Sequence, residues 1–191
     1  MPFEYHETGI SGLKLIEPEV FKDDRGHLVE TYLKGDFKSA GINTEFIQDK
    51  ITVSKPSVLR GIHYQAGEYS QAKLVSCMKG RVFDVVVDLR KYEDTFGNYR
   101  TFELSGLNRN MVFIPRGCAH GYVALGEETT VHYKIDNDYA PDMERGIRWD
   151  DSFLNIEWPI EEPILSSKDE NLCDFNEIIE KGDAFKNRPR T

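Results

Sequence analysis

Cysteine is scarce in this 191-residue chain, and the three present, Cys77, Cys118 and Cys173, are widely spaced and form no Cys-x-x-Cys pair. An odd, scattered set excludes a disulfide framework and a zinc knuckle, and it fits a reducing compartment. Basic charge is also short: 24 Lys and Arg stand against 33 Asp and Glu, a formal net charge of -9. A nucleic-acid backbone is therefore not an expected partner. A small phosphorylated ligand is not excluded, because a few arginines and lysines converging locally suffice to hold one. No stretch approaches the ~20 apolar residues of a membrane span. The first residues, "MPFEYHETGISG", carry charges and glycines and no apolar core of signal-peptide length. No membrane association and a cytoplasmic location are the resulting expectations. Internal repeats, low-complexity tracts and linkers are lacking too. With 39% hydrophobic and 30% charged residues, the chain is expected to fold as one domain over residues 1–191.

What the sequence does have is alternation at period two. "RVFDVVVDLR" (Arg81 to Arg90) follows "KLVSCM" across Lys79-Gly80, which reads as a hairpin turn. "NYRTFEL" and "MVFIP" flank the turn-rich "SGLNRN". In "TTVHYKI", Val131, Tyr133 and Ile135 share one face, while Thr130, His132 and Lys134 share the other. Short strands broken by Gly, Asn and Pro predict an all-β antiparallel sandwich or barrel. Helix is expected only over "GDFKSAG" near residue 36, and after Asp174, where Glu177 offers a capping box and Gly182 a stop. The closing "KNRPRT" reads as a loose tail.

Two histidines stand in strand-like surroundings, His63 in "VLRGIHYQ" and His120 in "PRGCAH". Cupin-type barrels bind metal through a His-x-His pair, a glutamate and a later histidine. Pro115-x-Gly117-x-x-His120 has the spacing of the later half, but Tyr64 and Gln65 follow His63, so the paired ligand is missing. Two histidines make a poor metal site, since catalytic metals hold at least three protein ligands in most cases; no metal is expected. Strict alternation puts Arg60 and His63 on opposite faces. They reach one site only if the strand bulges between them, and Gly61 is the residue that would mark such a bulge. Lys73 alternates with Val75 and Cys77; it is either a buried cation with a use or a strand-end lysine facing solvent. Tyr133 reads as a core tyrosine or as a functional phenol on the inward face. Asp169, in "PILSSKDEN", reads as a turn residue.

Taken together, "FKDDRGHLVETY", "FIQDK", "VLRGIHYQ", "QAKLV", "VFDVVVDLR", "TFGNY", "FIPRGCAHGY", "DYAPDMERGIRWDD", "IEWP" and "ILSSKD" resemble the dTDP-4-dehydrorhamnose 3,5-epimerase family in order and spacing over nearly the whole chain. The resemblance implies a cupin-type double-stranded β-helix, a jelly-roll barrel, from the metal-free branch of that fold. It implies an isomerase that inverts C3 and C5 of a dTDP-linked 4-keto-6-deoxyhexose on the way to L-rhamnose, with no cofactor. By the same resemblance His63 is the base, Asp169 its orienting carboxylate, Tyr133 the opposing acid and Lys73 the oxyanion partner. His120 contacts the sugar, and Arg60 the diphosphate. Gln48, Glu144 and Lys168 are further binding positions, and Phe21 and Tyr139 sandwich the base. Arg25 and Glu30 reach a neighbouring subunit's site, which implies a homodimer with N-terminal strands in its contacts. The chain departs from the family at Lys50, where asparagine is usual and helps bind the nucleotide end, and more mildly at His27 and Leu28. Lys50 therefore bears on which nucleotide or sugar is preferred. Inversion at one carbon only, or sugar-nucleotide binding without catalysis, are the alternative readings.

Overall fold

Strands that are apolar on one face must bury that face against another layer, and here the strands assemble into two facing sheets. The structure is a computed structural model and describes residues 2–187. The chain opens with β1 (Phe3–Glu7) and β2 (Lys14–Pro18), followed by β3 (Val20–Asp23), β4 (Gly26–Val29) and helix α1 (Lys34–Ser39). Next come β5 (Gln48–Ser54), β6 (Leu59–Gln65), β7 (Lys73–Lys79), β8 (Arg81–Asp88) and β9 (Tyr99–Ser105). The series ends with β10 (Met111–Ile114), β11 (Cys118–Ala124), β12 (Thr129–Ile135), the short β13 (Glu144–Gly146) and helix α2 (Phe175–Lys181).

Six strands form one sheet in the order β1-β2-β10-β7-β12-β5, and five form the other in the order β13-β6-β11-β8-β9. β3 and β4 make a separate hairpin. Between the sheets, Val75, Cys77 and Val131 from the first meet Val82, Val86 and Tyr122 from the second in one buried cluster. Each fully buried aliphatic side chain of this kind contributes roughly 1.5–3 kcal/mol. This two-sheet antiparallel arrangement is the cupin-type jelly roll expected of the chain.

The hairpin expected at Lys79-Gly80 does not form. β7 lies in the six-stranded sheet and β8 in the five-stranded one, so the turn carries the chain across the core. A hairpin would have set Val75 and Cys77 beside Val82 and Val86; the crossing sets them face to face. Gly80 is needed at that corner, because a Cβ there would lie 2.6 Å from Thr129 Oγ1. Both expected helices are present within a residue or two of their predicted bounds. Half of the expected capping box forms: the Glu177 carboxylate accepts from the Asp174 backbone N–H, whereas Asp174 makes no side-chain cap and Asp151 Oδ2 accepts from the Phe175 N–H at 2.8 Å. Gly182 stops α2 in the left-handed conformation, φ 75°. Of the predicted tail, Lys186 and Asn187 are exposed and the last four residues lie outside the described ones. Among the described residues no helix is long and apolar enough to cross a membrane.

Candidate active site

β6 positions the first histidine through a defect in its ladder. Across β11, His120 faces His63 and Tyr122 faces Arg60, so a step of three residues on β6 opposes a step of two on β11. The extra residue is a β-bulge. Gly61 allows it: its φ is 126°, and a Cβ there would fall 2.5 Å from the Gly121 Cα. The consequence is that Arg60 and His63 line the same cavity of about 240 Å³.

His63 Nε2 lies 2.5 Å from Asp169 Oδ1. Asp169 is 5% exposed, and its second oxygen accepts from Ser166 Oγ at 2.9 Å. Burial pushes the Asp169 carboxyl up, but the bonds from His63 and Ser166, with the charges of His63 and Lys168, hold it below the usual carboxylate range. A carboxylate at Nε2 fixes that nitrogen as the N–H and leaves the lone pair on Nδ1. The ring is thus prepared to accept a proton.

The facing sheet supplies the opposite wall. Tyr133 on β12 stands across from Val75 on β7, and Lys73 stands across from Ile135, so Lys73 and Tyr133 are diagonal neighbours on the inner face. The lysine is therefore the inward cation, not the solvent-facing one. Burial, and after it the charge of Lys50, lower the Lys73 ammonium to about 8, against the opposing pull of Glu144 and Asp84. Burial also raises the Tyr133 phenol well above its ordinary value, and Tyr122 and Asp84 raise it further. Tyr133 is held as the neutral, proton-bearing form.

His120 joins the two walls. It sits in register beside His63, and its ring centre is 6.0 Å edge-on from that of Tyr133. Its Nε2 is 2.7 Å from Oδ2 of Asp84, which is fully buried. Asp84 was not expected in the site. Its signal is parity, since in "VFDVV" it shares a face with the core residues Val82 and Val86.

At the mouth, Glu144 Oε2 accepts from the Tyr139 hydroxyl and from Lys168 Nζ, each at 2.5 Å. Lys50 Nζ lies 5.6 Å from the centre of the Tyr139 ring, and Arg60 Nε donates to Ser54 Oγ at 3.1 Å. The sequence did not single out Thr52, Gln71 and Ser166, which also line the cavity. Ser166 carried a usable sign, as Ser-x-x-Asp lets the hydroxyl hold the aspartate.

Four predicted binding residues stand elsewhere. Gln48 lies on β5 opposite Ile135, with its Oε1 buried and without a hydrogen-bond partner among the described residues. Phe21, Arg25 and Glu30 lie on the β3–β4 hairpin or just after it and do not line the cavity. Phe21 is exposed and, among the described residues, makes no ring contact with Tyr139, which does line the cavity. Arg25 pairs with Asp23 at 2.6 Å. Among the described residues, one group has metal-ligand geometry, the exposed Glu4, His6 and Glu17, and it does not line the cavity. The arrangement of the cavity suits one chemistry above others: a proton taken from carbon on one side, an adjacent oxygen held by a cation, and a proton returned from the other side.

Comparison with known proteins gives the same direction. The profile of the family described as dTDP-4-dehydrorhamnose 3,5-epimerase matches residues 7–177. The Methanothermobacter thermautotrophicus protein of that name is 44% identical over 172 residues, 88% of this chain and 92% of the relative. The crystal structure of the Elizabethkingia anophelis dTDP-4-dehydrorhamnose 3,5-epimerase superposes with a TM-score of 0.89 at 43% identity, over 93% of this chain and 98% of that one. A 3,5-epimerase from Legionella pneumophila, solved in complex with dTDP-4-keto-L-rhamnose, gives 0.91 at 36% identity, over 97% and 99%.

Proposed function

Since the chain belongs to the dTDP-4-dehydrorhamnose 3,5-epimerase family, we propose that it converts dTDP-4-dehydro-6-deoxy-D-glucose to dTDP-4-dehydro-L-rhamnose by inverting C3 and C5. The observation that carries this reading is that His63 and Tyr133 enter one cavity from opposite sheets.

The hydrogens at C3 and C5 are acidic because each carbon adjoins the C4 ketone. Nδ1 of His63 takes the proton, with Asp169 orienting the ring and stabilising the imidazolium; a placed base of this kind contributes about 10²–10⁴-fold. Negative charge moves to O4, where the Lys73 ammonium holds it; a preorganised donor to a developing oxyanion contributes roughly 3 kcal/mol. Tyr133 then delivers its proton to the other face of the flattened carbon. His120, steadied by Asp84, hydrogen-bonds the sugar between them.

Recognition of the nucleotide falls to the mouth, where Lys50, Arg60 and Lys168 gather positive charge on an otherwise acidic protein and Tyr139 offers a ring face. Arginine forks suit diphosphate oxygens. Arg25, Glu30 and the exposed Phe21, on the β3–β4 hairpin or just after it, do not line their own cavity. We assign them to the cavity of a second copy, which makes the functional unit a homodimer.

The test is turnover of the 4-keto sugar nucleotide in D₂O, with NMR following deuterium at C3 and C5. Deuterium at both carbons with the L-rhamno product is expected. Exchange at one carbon would reduce the enzyme to a single epimerisation, and exchange at neither would leave a binding protein.

A further inference from the structure

Lys50, at the cavity mouth, carries a charge that the proton-transfer steps above do not use. On β5 it lies directly opposite Tyr133, and Lys73 lies two strands away, opposite Ile135. All three side chains line the cavity. The Lys50 ammonium is kept at this cavity by the Tyr139 ring beneath it. The Lys73 ammonium makes no hydrogen bond or ion pair among the described residues, although its backbone is paired on both sides in the sheet. The carboxylates that could neutralise it are engaged elsewhere. Glu144 on β13 holds Tyr139 and Lys168, Asp84 on β8 holds His120, and Asp169 holds His63 and Ser166. The other groups facing it are Tyr133 from its own sheet, His120 on β11, and Arg60 and His63 on β6; none brings negative charge.

We propose that Lys50 is a positioning residue that acts through Lys73: its fixed positive charge crowds the Lys73 ammonium, so that Lys73 hands a proton to O4 as the C–H bond breaks. The inference rests on the reading under Proposed function and deepens it. Nδ1 of His63 takes the carbon-bound proton, the C–H electron pair becomes the C=C bond, and the carbonyl pair moves to O4. O4 takes a proton from Lys73 Nζ, leaving a neutral amine and a neutral enol. When the carbonyl re-forms, O4 returns that proton to Lys73 and Tyr133 protonates the carbon. The lowering of Lys73 to about 8, in which Lys50 is the largest charge contribution, agrees with this geometry.

The experiment compares wild type, Lys50→Met and Lys50→Arg. The profile of kcat/KM against pH reports the free enzyme, and its alkaline limb should fall near pH 8 in the wild type, where Lys73 loses its proton. In Lys50→Met that limb should move to higher pH while the acid limb stays, and Lys50→Arg should restore it. A second readout needs no turnover: NMR titration of ¹³C-labelled lysine in the substrate-free protein, with the Lys73 signal assigned by its loss in Lys73→Met. A higher Lys73 midpoint in Lys50→Met supports the proposal, and an unmoved midpoint overturns it whatever the activity. A wild type that does not turn over the 4-keto sugar would remove the proposed reaction but would leave the titration readable.

Discussion

The Lys73 ammonium, at even spacing from Val75 and Cys77 on β7, loses hydration that no ion pair replaces, and the sign of its effect on stability follows from its titration. The unfolded chain binds this proton up to the ordinary lysine value of 10.5, and the folded one only to about 8. Between those values the unfolded state carries more protons, so the Lys73 contribution destabilises the protein at neutral pH and fades as pH rises through the window. Lys73→Met is therefore expected to stabilise the protein at pH 7 by up to roughly 3 kcal/mol, seen as a higher melting temperature, and to abolish epimerisation. The gain should shrink from pH 8 towards 10.5, and differential scanning calorimetry across pH checks it; a lower melting temperature at pH 7 would show that the charge is compensated. At this scale the sequence was legible wherever a residue broke a pattern. Lys73 and Tyr133 stood out against apolar neighbours at even spacing. Asp84 breaks the same kind of pattern, but an acidic residue in a strand ordinarily faces water, so the sequence alone does not mark it as buried. The pairing of Asp169 with His63 spans 106 residues, and no local pattern carries such a contact.

The element that aims the site is the bulge in β6. Without the extra residue, Arg60 and His63 would point to opposite faces, and a diphosphate contact and a base would not share a cavity. Gly61→Ala puts a Cβ 2.5 Å from the Gly121 backbone at a φ of 126°. The strain and the displaced ladder together should cost about 2–4 kcal/mol. Chemical denaturation should show that loss, and the residual enzyme should show a raised KM together with a lowered kcat; a variant with unchanged stability would mean that β11 yields easily. The alternation of Arg60 and His63 gave this bulge away from sequence, because two residues of opposite parity had to meet. The Lys79-Gly80 corner departs from the expected hairpin for an equally physical reason. A Gly-containing turn between two alternating runs has the same local chemistry whether the strands pair or cross the core, and only burial of both apolar faces decides between them. The short β13 left no periodic signal, yet through Glu144 it carries part of the cavity mouth.

For the whole molecule, the two sheets are the two walls of the reaction. The five-stranded sheet brings His63 and His120, the six-stranded sheet brings Lys73 and Tyr133, and the core between them fixes their separation. Overall acidity is compatible with the anionic substrate proposed above, because Lys50, Arg60, Lys73 and Lys168 converge on one cavity. The assembly is tested by complementation. If Arg25 serves the partner's cavity, mixing Arg25→Ala with His63→Ala chains gives hybrid dimers with one intact site, and activity should return to roughly a quarter of wild type. No recovery beyond the separate variants would place Arg25 outside the partner's site. The two-wall arrangement itself is tested most directly by following deuterium exchange and inversion separately in Tyr133→Phe, with His63→Ala as reference. Tyr133→Phe should still exchange the C3 and C5 hydrogens while product inversion falls steeply, and His63→Ala should do neither. Equal loss of exchange and inversion in Tyr133→Phe would contradict an acid acting from the far wall.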